Sequence, residues 1–282
     1  MLAKVVLLAA LSQYTRSRVD QADPASQCLW WLEGTTLTWH ANQDGNAYTP
    51  GDTEFAALGA AFDTWQAQLS LCGNLRFAQG ARSASRKVGY FQDGHDENLQ
   101  LFRQTMCTAV AATTDACWTH DDCGNVHDCW QFGPTALAIT TTTYSPTSGR
   151  IYDADIEFNA GTYRFTAVDS PVCVAPNYSP ACVDMDIQNT ATHEIGHMLG
   201  LAHYASTSST MNKNADPGET RKRVLDPGTR QFVCDAYPQG QASQSCVTPA
   251  VTSALGSPAG CAVGGPWLAL AAGALVLSRR RR

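Results

Sequence analysis

The stretch His193-Glu194-Ile195-Gly196-His197-Met198-Leu199-Gly200-Leu201-Ala202-His203 decides how this chain is read. Histidines four residues apart share one face of a helix, so His193 and His197 project together. Two neutral imidazoles so placed grip one Zn²⁺ at roughly 2.0–2.1 Å. Glu194, on the next position round the same turn, reaches a bound water without itself ligating. Gly200 then ends the helix, because glycine enters the left-handed conformation without strain. The reversal returns His203 as a third ligand and leaves a fourth position for water, the arrangement of catalytic rather than structural zinc. The bland alternative is a helix with three unrelated histidines, which five fixed positions make a rare coincidence.

The pattern HExxHxxGxxH with a methionine in a following turn, Ser208-Ser209-Thr210-Met211-Asn212, resembles the metzincin zinc endopeptidases, and within them the matrixin branch. The resemblance covers roughly Thr35 to Pro238 and is most specific over Thr192–Met211. It implies an α+β, zincin-like catalytic domain. Its parts would be a twisted, mostly parallel five-stranded sheet with an antiparallel edge strand, two long helices, and a small C-terminal subdomain with a Met-turn and a final helix. Met211 would floor the zinc site without ligating. The strand carrying Ala136, Leu137, Ala138 and Ile139 would lie at the sheet edge and take an extended peptide as an added strand. Two departures stand out: Tyr204 replaces the serine usual after the third histidine, and no tyrosine lies two residues past Met211.

The residues themselves support that order of elements. Thr35–His40 alternates as a half-buried strand, and Phe55, Leu58, Ala61, Phe62, Trp65 and Leu69 recur at helical spacing over 52–69. Thr49 or Asp52 would cap that helix. Strands are expected at Leu75–Ala78, Val88–Phe91, Asn98–Phe102, Ala136–Tyr144 and Arg150–Phe158, the last two joined by a turn at 145–149. The zinc helix would run from about Asp186 to Leu199, and Pro227 suits the first turn of the last helix.

Asp153, Asp155, Glu157 and Asn159 alternate along one strand and share a face. An oxygen-only set suits Ca²⁺; a solvated polar face is the alternative.

Ten of the eleven cysteines fall between positions 28 and 246, an even set for five disulfides in an oxidising compartment. Cys173 with Cys182 is the one local pairing the spacing suggests. Cys117, Cys123 and Cys129, with His120 and His127 between them, lie in a Cys-rich insertion at about 92–134. They lack a CxxC knuckle, which favours disulfides over a zinc cluster.

Residues 1–12, with Lys4 before the apolar run Val5–Leu11, read as a secretory signal too short to span a bilayer. The catalytic domain would occupy 28–238 and a flexible linker 239–260. Cys261, an apolar stretch and Arg279–Arg282 resemble the C-terminal sorting tails of myxobacterial surface proteins, so 261–282 would be a sorting or anchor segment. A plain weak membrane anchor is the alternative. The formal charge is −6, and without the terminal arginines 15 basic residues face 25 acidic ones, which argues against nucleic acid as a partner.

The expectation is a monomeric, secreted or surface-attached Zn²⁺ endopeptidase acting on proteins or peptides, touching membrane only through its C-terminal segment. Glu194 would be the general base. The rivals are a catalytically silent, zinc-stabilised adhesion protein and a hydrolase of cell-wall peptides.

Overall fold

In the computed structural model, residues 13–91 and 97–246 are described. The expected signal at 1–12, most of the linker and the tail at 261–282 lie outside them. The first elements are β1 (Thr15–Arg16), β2 (Thr36–Ala41), α1 (Thr53–Cys72), β3 (Arg76–Gln79) and β4 (Asn98–Phe102). Three short helices follow, α2 (Cys107–Val110), α3 (Cys117–His120) and α4 (Cys123–His127). Next come β5 (Ala138–Tyr144), β6 (Ile151–Phe158), β7 (Phe165–Thr166) and β8 (Met185–Asp186). The C-terminal part holds α5 (Ile187–Met198), β9 (Leu201–Ala202), a 3₁₀ turn (Arg221–Arg223) and α6 (Pro227–Ala236).

The main sheet has the order β3-β2-β4-β6-β5, parallel except for β5, which runs antiparallel to β6 at the edge. Alternation along β2 buries Leu37, Trp39 and Ala41, as a period of two requires. Phe55, Leu58, Ala61, Phe62, Trp65 and Leu69 form the buried stripe of α1, and Phe62 stacks on Trp39 with ring centroids 4.2 Å apart. Trp65 Nε1 donates to Thr192 O at 2.9 Å, locking α1 to α5 beneath the site.

Three local expectations are corrected. Asp52 precedes α1 but makes no capping bond; it pairs with Arg82 at 3.0 Å instead. Thr49 does not cap either, because its hydroxyl bonds the buried Glu54 carboxylate at 2.9 Å. The segment Val88–Phe91 is not a strand. Its backbone is satisfied by a side chain: Val88 N donates to Asn125 Oδ1 and Val88 O accepts from Asn125 Nδ2, both at 2.9 Å.

The stretch expected as an insertion contains a core strand, since β4 pairs with both β2 and β6. Its cysteines form the disulfides Cys107–Cys129 and Cys117–Cys123, which rules out thiolate zinc ligation there. Cys173 pairs with Cys182. Cys72–Cys234 joins α1 to α6, and Cys28–Cys246 ties the segment before β2 to the stretch after α6. Residues 239–246, expected as the start of a linker, are therefore held on the domain, with Gln239 N donating to Cys72 O at 2.7 Å.

The acidic face of β6 is not solvated. Asp153, Asp155, Glu157 and Asn159 are all buried. Asp155 accepts from Leu99 N at 2.7 Å and from Gly89 N. Glu157 pairs with the buried Arg103 at 2.7 Å, and Asn159 Nδ2 donates to Ala136 O at 3.0 Å. Burial, then the neighbouring Asp153, push the Asp155 carboxyl well above its ordinary 3.8. Residues 86–91, 97–103 and 125–128 pack on this face, where Arg103 bonds Glu157, Arg86 O and Asp128.

Candidate active site

Helix α5 begins where Asp186 accepts from Asn189 N at 2.6 Å, a side-chain cap on an otherwise orphaned donor. The helix carries His193, Glu194 and His197 and stops before Gly200, whose φ is +93°. A side chain at Gly200 would also meet Leu29 O at 2.6 Å, so glycine is needed for both conformation and space. Beyond the bend, β9 pairs with β1 and delivers His203 to the cluster.

His197 Nε2 lies 3.1 Å from His193 Nε2 and 3.2 Å from His203 Nε2. The other nitrogens explain what these contacts are. His193 Nδ1 is 2.7 Å from Thr210 O, and His197 Nδ1 is 2.7 Å from Leu201 O. A carbonyl can only accept, so both Nδ1 atoms carry the proton and both Nε2 atoms present lone pairs to each other. Facing lone pairs repel unless a cation lies between them. The spacing suits Zn²⁺, because a tetrahedron with bonds of roughly 2.0–2.1 Å has edges of about 3.3–3.4 Å. Among the described residues one other metal-like cluster occurs, Asp115, Cys117 and His127. Its sulfur is in a disulfide, and His127 is paired with Asp115 at 2.9 Å.

Electrostatics keep the three rings neutral, as ligation requires. Burial lowers His193 far below 6.5, with His197 adding to the effect, and burial lowers His197 likewise. His203 sits at the cleft rim and is lowered to about 4, by burial of the ring first and by His197 second.

Glu194 is buried beside the cluster. Burial raises its carboxyl above 4.5, and a hydrogen bond from Thr140 opposes that shift. The Thr140 hydroxyl lies 2.7 Å from Glu194 Oε2 and 3.0 Å from Glu194 O, so one proton is shared between them. Met211 is fully buried beneath α5, with its sulfur packed close against Gly196. Tyr204 packs against the core and donates its amide to Met211 O at 2.9 Å.

Ala138 and Ile139 open the edge strand β5, while Ala136 and Leu137 precede it. All four line a cavity of ≈ 600 Å³ that also reaches His193, Glu194 and His203. A second cleft of ≈ 380 Å³ runs along Ala138–Tyr144 on the other side of Glu194, walled by Ser17 and Arg18. A larger cavity of ≈ 880 Å³, against α1, β3 and residues 239–242, shares no lining residue with either and holds none of the histidines. The sequence did not disclose Thr140, one of four consecutive threonines, or Lys222, buried under the 600 Å³ cavity.

Three converging imidazoles, a buried carboxylate and an exposed sheet edge define the class: a metal-dependent peptidase. The matrixin family model matches residues 30–237, and the chain belongs to that family, whose members are zinc metalloproteases. No curated protein matches the chain.

Proposed function

We propose that the protein is an exported zinc-dependent endopeptidase that binds an extended peptide along the free edge of β5. The observation carrying this reading is the convergence of three Nε2 lone pairs beside the buried Glu194 carboxylate, at the one edge of the sheet where both clefts open. His193, His197 and His203 would hold the metal. Zn²⁺ held there would supply an acidified water and polarisation of the scissile carbonyl. Glu194 would be the base that takes the water's proton and the acid that returns it to the departing amine. Thr140 holds the carboxylate toward the cluster while this happens.

An incoming peptide paired antiparallel to β5 has its N-terminal part along Thr142–Tyr144 and its C-terminal part along Ala136–Ile139. The scissile bond then falls beside Glu194, and the next side chain enters the 600 Å³ cavity. Five disulfides among the described residues support an oxidising, extracellular location. A cleaved signal at 1–12, sorting through 261–282 and a monomeric state complete the proposal. Among the described residues no helix is long and apolar enough to cross a membrane.

The test is Glu194→Gln in zinc-loaded protein, followed by zinc content and cleavage of a diverse peptide library. Wild type should cut, and the variant should keep zinc with turnover reduced at least about 10²-fold. Zinc-loaded wild type that cuts nothing would favour a silent adhesion domain. A variant as active as wild type would remove Glu194 from the mechanism.

A further inference from the structure

Resting on the peptidase reading, we infer that this enzyme selects an acidic side chain immediately after the scissile bond, and that Lys222 reads it. The cavity that receives this side chain is walled by the start of β5, the first turns of α5 and the 212–222 loop. Lys222 crosses that loop and is 2% exposed. Its backbone N donates to Asn189 Oδ1 at 2.7 Å, and its Nζ donates to Asn214 O at 2.6 Å. Both ends of the residue are thereby fixed.

An ammonium has three donors, and a neutral carbonyl occupies one. The nearest carboxylate, Glu219 Oε1, is 3.7 Å away and is already held by Arg221 at 3.1 Å. Lys222 thus reaches the cavity as a cation stripped of bulk water, its one ion pair long and shared with Arg221. Such a group is costly to bury and gains most from a carboxylate placed against it. An apolar side chain in the same space would displace water from the ammonium and return nothing. Lys213 and Arg221 also line the cavity, against Asp216, Glu219 and Glu194, so the lining balances in charge and Lys222 is its buried cation.

The experiment uses the zinc-loaded full chain and four fluorogenic peptides that differ only in the residue after the cleaved bond: Glu, Gln, Leu and Lys. Glu and Gln match in shape, so their ratio isolates the charge. A charged hydrogen bond predicts kcat/KM about tenfold or more higher for Glu than for Gln, with Lys lowest. Lys222→Met, which keeps the length of the stem, should bring the Glu:Gln ratio to about one, and Lys222→Arg should retain the preference. Wild type that prefers Leu, or cuts Glu and Gln alike, overturns the inference while leaving the peptidase reading intact. Lys222→Met that slows all four peptides equally reduces Lys222 to a prop for the loop. Absence of any cleavage removes both readings. Should Lys222→Met fail to fold, the wild-type ratio still decides.

Discussion

Gly196→Ala tests how the floor of the site is built, because the structure fixes what the added methyl would meet. Its Cβ would lie 2.3 Å from Met211 Sδ, 2.9 Å from Met211 Cε and 3.3 Å from Trp65 Cζ2. Ordinary contact is roughly 3.5–4.0 Å, so the sulfur must retreat by more than about 1 Å. Met211 and Trp65 are fully buried, and Trp65 is tied to Thr192 O, so the retreat strains the core. Overpacking of this kind costs about 1–3 kcal/mol, against which alanine returns about 0.5–1 kcal/mol of helix propensity. The net loss is at most about 2.5 kcal/mol, or centrally about 1 kcal/mol and roughly 2–4 °C in Tm for a domain of this size. Thr210 O, one residue before Met211, orients His193, so zinc affinity should also fall, by about tenfold. A methyl added at Gly59 in α1 would meet nothing within 4 Å, and Gly59→Ala should instead raise stability. Thermal melts of both variants, with zinc competition against a chromogenic chelator, are the assay. A Gly196→Ala protein that melts at or above wild type with unchanged zinc affinity would refute the close-packing argument.

Thr140→Val preserves shape and removes the proton donated to Glu194. That bond lowers a carboxyl already raised by burial, so its loss lifts the pKa further and moves the acidic limb of kcat/KM to higher pH; an unmoved limb would dismiss Thr140 as a positioning residue. Asp226 caps α6 through Gly228 N at 2.9 Å and also holds Thr210 N at 2.8 Å. Burial pushes its carboxyl up, but the bonds from Thr229 and Thr210 outweigh that and leave it below 3.8. A depressed pKa stabilises the fold above about 3.8 and ceases to do so as pH falls through the folded value. Asp226→Asn should therefore cost about 1–3 kcal/mol near neutrality, with the gap to wild type closing in acid, as urea titrations across pH would show. Replacing Cys72 and Cys234 by serine opens a link across 162 residues, for which chain entropy gives an upper bound near ~5 kcal/mol. Removing Cys173–Cys182, with a separation of 9, should cost about half as much in the same denaturation assay.

What the sequence disclosed was set by nearby residues. The helix face shared by His193 and His197 and the bend at Gly200 each depend on a few consecutive positions. The stripe of α1 and the alternation of β2 are periodic signals of the same kind. The readings that failed depended on distant partners. Val88–Phe91 has strand composition, but Asn125 occupies its backbone groups. Asp153–Asn159 alternates as a polar face should, but the cover supplied by Arg103 comes from another strand's end. Residues 239–246 look like linker by composition and are held by Cys28, more than 200 positions earlier. Lys222 gave no local signal, because its role depends on a cavity formed by three separate segments.

Asn159 shows how one such misread residue serves the site. Its amide N donates to Leu137 O at 2.8 Å and its Nδ2 to Ala136 O at 3.0 Å, pinning the chain at the entrance to β5. Register matters here more than elsewhere in the sheet, because a slip of one residue turns every side chain of a strand to the opposite face. Such a slip would swing Thr140 away from Glu194 and move the edge on which a peptide would add. The residue that holds the base, Thr140, and the proposed peptide rail therefore belong to a single strand, and their mutual alignment is fixed wherever that strand is anchored. A carboxamide at position 159 supplies the anchor from inside the sheet, leaving the outer edge of β5 free for the substrate.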